Sequence, residues 1–179
     1  MYTPGVIVGG KITHDCGVGR SVGYFIEGLL PLCLFAKKST QLILKGVTND
    51  NVDLSVDYVR GVLLPTLTSC FSLEEETPKL DLKIKKRGAP PSGGGEVIFT
   101  CPVVKELKSV IRTETGMVKR IRGIAYSTRV SPQIANRMVT SARSLLNHFV
   151  PDVFVYTDHY KVSSSVLLLF FVLMLSSNV

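Results

Sequence analysis

Between residues 18 and 104 the hydrophobic period of the chain switches from helical to extended and back. That order restricts it to a sheet with helices laid against it. Val22, Phe25, Ile26, Leu29, Leu30 and Cys33 recur at helical spacing and predict a helix over 18–35, which Pro31 should kink or end. Gln41–Val47 reads as a strand. The cluster Thr48-Asn49-Asp50-Asn51 reads as a turn, and a helix follows over 56–71 with Asp53 or Ser55 as its cap. Leu80, Leu82 and Ile84 alternate with Asp81, Lys83 and Lys85, as in a half-buried strand, and Glu96–Val104 pairs with it across a Gly/Pro-rich loop. Tyr2–Gly9, bounded by Pro4 and Gly9-Gly10, supplies a first strand. The order is β-α-β-α-β-β, an α/β (α+β) fold with its helices on one face of the sheet. Its first strand opens almost at residue 1, so the fold is expected to be incomplete.

The composition shifts near Lys105. Met117–Ser127 reads as a strand, and Ser131-Pro132 as an N-cap with proline in the first helical turn. Ile134, Met138, Ala142, Leu145 and Phe149 mark a helix that Pro151 stops, and a strand follows from Asp152 to Thr157. This β-α-β piece looks like the start of a second module. The expected organisation is 1–108, 109–161 and a tail over 162–179. Val166–Leu175 is a run of ten apolar residues. A spanning helix needs about 20, so no stable membrane insertion is expected. The run reads instead as a tail foreign to the fold, with no upstream strand evidently waiting for it. No secretory signal is apparent in the first residues.

The net charge of +7 favours a polyanionic partner. It is concentrated between Lys105 and Arg143, where nine Lys/Arg face two acids, while the rest of the chain is neutral. Lys119, Arg120, Arg122, Arg129, Arg137 and Arg143 are the candidate RNA or partner contacts, since such side chains neutralise phosphates without reading sequence. An acidic protein surface would satisfy them equally. Tyr126 could add one stacking platform, but the aromatic interleaving of single-strand binders is not evident.

Other motifs assign no chemistry. Gly93-Gly94-Gly95 precedes a strand rather than the Lys-Ser/Thr and helix of a phosphate loop, and reads as a hairpin connection. His14 and Cys16 could share a strand face, but no oxyanion donor accompanies them. His148 reads as a helix-end or surface residue. Cys16, Cys33, Cys70 and Cys101 form no C-x-x-C pair and read as thiols in a reducing compartment. No catalytic, cofactor or metal site is assigned.

Several segments together resemble the RNA 3′-terminal phosphate cyclase family. They are His14-Asp-Cys-Gly-Val-Gly-Arg-Ser-Val-Gly-Tyr-Phe-Ile-Glu27, Leu44-Lys-Gly-Val-Thr-Asn-Asp50, Arg87-Gly-Ala-Pro-Pro-Ser-Gly-Gly-Gly-Glu-Val97, Lys119-Arg-Ile-Arg-Gly-Ile-Ala-Tyr-Ser-Thr-Arg-Val-Ser-Pro132 and Pro151-Asp-Val-Phe-Val-Tyr-Thr-Asp-His159. His14-Asp15-Cys16 and Thr157-Asp158-His159 tilt the resemblance to the family's cyclase-like, ribosome-biogenesis branch. It spans roughly Tyr2–Lys161 and implies β-α-β-α-β-β repeats with a smaller domain inserted near Met117. True cyclases use ATP and form an adenylylated histidine; neither is carried over to any residue here. For the cyclase-like branch the resemblance implies non-catalytic small-subunit pre-rRNA processing in the nucleolus. The implied partners are a ribosome-biogenesis GTPase, the pre-ribosomal particle and pre-rRNA. RNA cyclisation or endonuclease activity is the alternative.

Overall fold

The computed structural model describes residues 5–71, 73, 78–107, 109–111, 113, 116–128, 131–160 and 166–176. The chain divides into two compact units, Met1–Val110 and Ile111–Val179.

In the first unit, strands β1 (Gly10–Asp15), β2 (Thr40–Gly46), β3 (Asp81–Lys86) and β4 (Gly95–Cys101) form one sheet in the order β1-β2-β4-β3. β1 runs parallel to β2, and the other pairings are antiparallel. The mixed α+β architecture agrees with the sequence reading. The first strand is displaced from its expected place. Within 5–9 the Ile7 and Val8 carbonyls accept from the Lys37 and Lys38 amides, whereas the strand itself begins at Gly10. Apolar density misled here, because β1 lies at the sheet edge and is mostly exposed.

Helix α1 (Val22–Leu34) runs through Pro31 rather than ending there. Cys33 and Leu34 are buried beyond the proline, so packing holds the last turn where local hydrogen bonding is weakened. α2 (Val56–Tyr58) passes through a π-helical stretch, Val59–Leu63, into α3 (Leu64–Phe71). Pro65 has no amide hydrogen and its ring crowds the carbonyl four residues back, at Gly61, which lies within the widened turn. Ser55 is the cap, its hydroxyl accepting from Tyr58 N at 3.1 Å. Asp53 has another task, described below. Val22, Ile26 and Val59 from the helices bury against Leu42, Leu82, Val97 and Phe99 from one face of the sheet. Each such side chain contributes roughly 1.5–3 kcal/mol on removal from water.

In the second unit, β5 (Met117–Thr128) is central, with β6 (Asp152–Tyr160) parallel on one side and β7 (Val166–Ser176) antiparallel on the other. Helix α4 (Pro132–Leu146) makes the crossover between β5 and β6, with Pro132 in its first turn as the sequence suggests. Val139 and Leu146 of α4 pack on Ile121, Ala125, Val153 and Val155. The apolar run 166–175, for which no upstream partner was legible, is the strand β7, and β5 supplies its backbone partners from Val118 to Thr128.

Candidate functional site

Two places gather the singled-out residues, one in each unit. In the first, the His14, Lys45 and Arg87–Glu96 motifs meet at one end of the sheet. Thr48 joins them. Its amide and hydroxyl both donate to Gly88 O, at 2.8 and 2.9 Å, and its hydroxyl accepts from Gly88 N at 3.2 Å. The glycines permit this closeness. A Cβ on Gly88 would lie 2.2 Å from Gly95 N and 2.6 Å from Gly46 O. Gly88 and Gly95 are therefore required by close backbone packing, and the Gly93–Gly95 stretch is a hairpin connection leading into β4.

Beneath them lies a buried ion pair. Arg87 Nη1 and Nη2 donate to Asp57 Oδ2 and Oδ1 at 2.7 and 2.8 Å, and Asn49 Nδ2 adds a third bond to Asp57 Oδ2 at 2.8 Å. Arg20 and Asp53 form another pair at the start of α1. Asp53 also accepts from Ser21 N at 2.9 Å, and Arg20 lies 3.9 Å over the Tyr24 ring. The Arg20 hydrogen bond, helped by Ser21 N, holds the Asp53 carboxyl below the usual range.

The strand ends and the Gly-rich connection line a polar cleft of about 420 Å³. Asp15, Lys45, Glu96 and Lys86 cross its floor in register, one from each strand, with charge alternating in sign. Such a row is cross-strand charge matching. Cys16, at its edge, has its thiol pushed up to about 11, first by burial and then by Asp15. A thiol protonated at neutral pH is a poor nucleophile. His14 meets the Phe25 ring at 5.9 Å instead. Among the described residues no group of three or more His, Cys, Asp or Glu could hold a metal ion.

In the second unit, the basic candidates do not form one patch. Arg120 and Arg122 share a face of β5 and converge on Asp152. Arg122 Nη1 and Nη2 donate to Asp152 Oδ1 and Oδ2 at 2.8 and 3.0 Å, and Arg120 Nε lies 3.4 Å from Oδ2. The Arg122 hydrogen bonds draw the Asp152 carboxyl below its ordinary range and raise Arg122 in turn. Lys119 is exposed on the same strand. Arg137 and Arg143 stand exposed on α4, which packs on the opposite face of the sheet, and Arg137 borders a groove with Ile134, Met138 and Leu145. Arg129 lies outside the described residues.

Tyr126 is not a stacking platform, being only 2% exposed. The sequence reading missed two aromatics that are exposed, Phe154 and Tyr156 at 46% and 57%. The signal was present, since Val153 and Val155 alternate with them along the strand. His148 lies exposed just past α4, its amide bonded to Leu145 O at 3.3 Å, as expected of a helix-end residue.

Comparison with known proteins extends these observations. The family model described as RNA 3′-terminal phosphate cyclase matches residues 1–177. An RNA 3′-terminal phosphate cyclase-like protein of Mus musculus is 54% identical over 164 residues, 92% of this chain and 43% of the mouse protein. Its Homo sapiens counterpart is 54% identical over 160 residues, 89% of this chain and 42% of that protein. The rRNA processing protein rcl1 of Schizosaccharomyces pombe is 55% identical over 159 residues, 88% of this chain and 43% of the yeast protein. The chain thus spans less than half the length of these relatives.

Proposed function

The chain belongs to the RNA 3′-terminal phosphate cyclase family, and from that premise we propose that it serves rRNA processing as a binding and scaffolding component rather than as a catalyst. The observation that carries this reading is the identity of about half, over nine-tenths of the chain, to cyclase-like proteins, one of them named for rRNA processing. Two features support it. Gly88 and Gly95 are taken up by close packing between strands, and the Gly-rich stretch leads into a strand rather than a helix. The second unit also carries eight Lys/Arg against three acids, five of the net +7. Such a charge balance suits pre-rRNA within a small-subunit precursor. A ribosome-biogenesis GTPase is the proposed protein partner and the nucleolus the proposed place of action.

Affinity purification of the tagged chain from nuclear extract tests this. Pre-rRNA and small-subunit precursor particles should co-purify, and binding should fall as salt rises. Reversing Lys119, Arg137 and Arg143 should weaken it. ATP-dependent cyclisation of a 3′-phosphorylated RNA by the chain, with turnover, would replace the scaffold reading with a catalytic one.

A further inference from the structure

We propose that the outer face of the second sheet is a base-stacking platform for single-stranded RNA, with Phe154 and Tyr156 as its stacking groups and Arg120 and Arg122 as its phosphate contacts. This deepens the reading above and rests on its claim that the chain meets RNA.

The alternation of β6 creates the face. Val153 and Val155 point into the core under α4, so Phe154 and Tyr156 point the other way, where no helix lies among the described residues. A sheet face turned to water ordinarily carries polar side chains. Here two large rings sit next to each other, 4.6 Å between centroids and 66° between planes, about half exposed. Each ring offers a flat apolar surface that water solvates poorly.

The neighbouring strand supplies the charge. In the parallel register Arg120 lies beside Asp152, Arg122 beside Phe154 and Ile124 beside Tyr156. Arg122 therefore stands beside Phe154, with Arg120 two residues further along β5. Asp152 and Asp158, which alternate with the rings along β6, balance the two guanidinium groups, and the positive excess lies in the rest of the unit. Rings beside guanidinium groups also serve protein interfaces. The excess of base over acid in this unit favours a polyanion. Stacking on exposed rings demands bases that are not already stacked in a duplex, which selects single strands.

The test uses the whole chain and a fluorescent single-stranded RNA of about 12 nucleotides, followed by anisotropy, beside the same sequence as a duplex. Phe154→Leu and Tyr156→Leu keep an apolar side chain and remove the ring. Each should weaken single-strand binding about tenfold, within the range stacking provides, while the salt slope stays as in the parent. Tyr156→Phe should bind like the parent. Arg120→Gln with Arg122→Gln should lower the salt slope instead. The chain has no Trp, so tyrosine emission offers a second reading. RNA should quench it in the parent, and Tyr156→Phe, which keeps the ring's shape, should lose part of that quenching. If both leucine variants bind normally while the glutamine pair is impaired, the platform is wrong and RNA binding by charge stands. Equal affinity for duplex and single strand likewise overturns the platform. No binding of either RNA by the parent overturns both readings. Loss of a protein partner by the leucine variants with RNA binding unchanged makes the face a protein interface.

Discussion

In the first unit Asp57 accepts from both Nη atoms of Arg87, and neither side chain is more than 2% exposed. In the second, Asp152 accepts from both Nη atoms of Arg122 with 47% of its side chain in solvent. The geometry is the same, and the surroundings give it opposite roles. Withdrawing two ions from water costs several kcal/mol per ion, recovered only if every charge finds good partners. Asp57 meets that demand with two bonds from Arg87 and one from Asn49. The pair thereby ties the turn after β2 to the helical segment at Asp57 and to the end of β3. Around Asp152 water competes for the same groups, so the pair adds little to stability and remains open to exchange. One pair fixes a framework; the other holds a guanidinium for which an incoming anion can compete.

The largest effect that could break this contrast is at Asp57. Asp57→Asn keeps the shape but removes the charge that both Nη atoms of the buried Arg87 meet. The expected loss is about 3–5 kcal/mol, read as a lower urea midpoint for the first unit. A loss as small as that of an exposed pair, below about 1 kcal/mol, would mean that the two pairs are equivalent.

Next in size is Gly88→Ala. The added Cβ would stand 2.2 Å from Gly95 N and 2.7 Å from Gly93 O, backbone atoms that cannot swing aside. Overpacking of this kind costs about 1–3 kcal/mol, and circular dichroism against temperature should show the earlier melt. Gly94→Ala is the control, with nothing within 4 Å of its Cβ. Its φ of +77° costs roughly 1 kcal/mol in a non-glycine residue. Gly88→Ala should therefore melt before Gly94→Ala. The reverse order would remove the claim that close backbone approach explains Gly88.

What the sequence made legible follows the same physics. Elements with a buried face announced themselves. β2 and β4 alternate buried and partly exposed residues, and α1 buries a stripe at helical spacing. β1 did not, because an exposed edge strand needs no apolar pattern; Ile12 is its one large apolar side chain, and it is half exposed. Nor did β7 show its partner, since strand pairing is a property of two segments and its run matches β5 some 50 residues away. The Arg87–Asp57 pair was unreadable for the same reason: 30 residues separate two common residue types. In the second unit the charge was legible but its division between two faces was not. That division depends on which side of the sheet α4 covers.

The smallest effect is at Asp152, and it sharpens the comparison most. Its carboxyl is held below the ordinary range, chiefly by Arg122. A depressed carboxyl stabilises the fold above the unfolded-state value, near 3.9, and loses that contribution as pH falls through the lower folded value. The pair is thus intact at neutral pH and weakens only in acid. Asp152→Asn removes the carboxylate charge while leaving an amide of the same size. The urea midpoint at pH 7 should stay where it was, in contrast to Asp57→Asn, because both partners remain solvated. RNA binding should move the other way. One negative charge leaves the face and Arg122 becomes free for a phosphate, so affinity for single strands should rise a few-fold. The slope of log K against log salt should steepen by about 0.7, the increment for one more neutralised phosphate on a single strand. The gain should persist down to the ordinary carboxylate range and shrink only below it, where the parent's own Asp152 takes up its proton. Weaker binding by Asp152→Asn would reverse the assignment, making Asp152 the group that positions Arg122 for RNA rather than the group that competes with it.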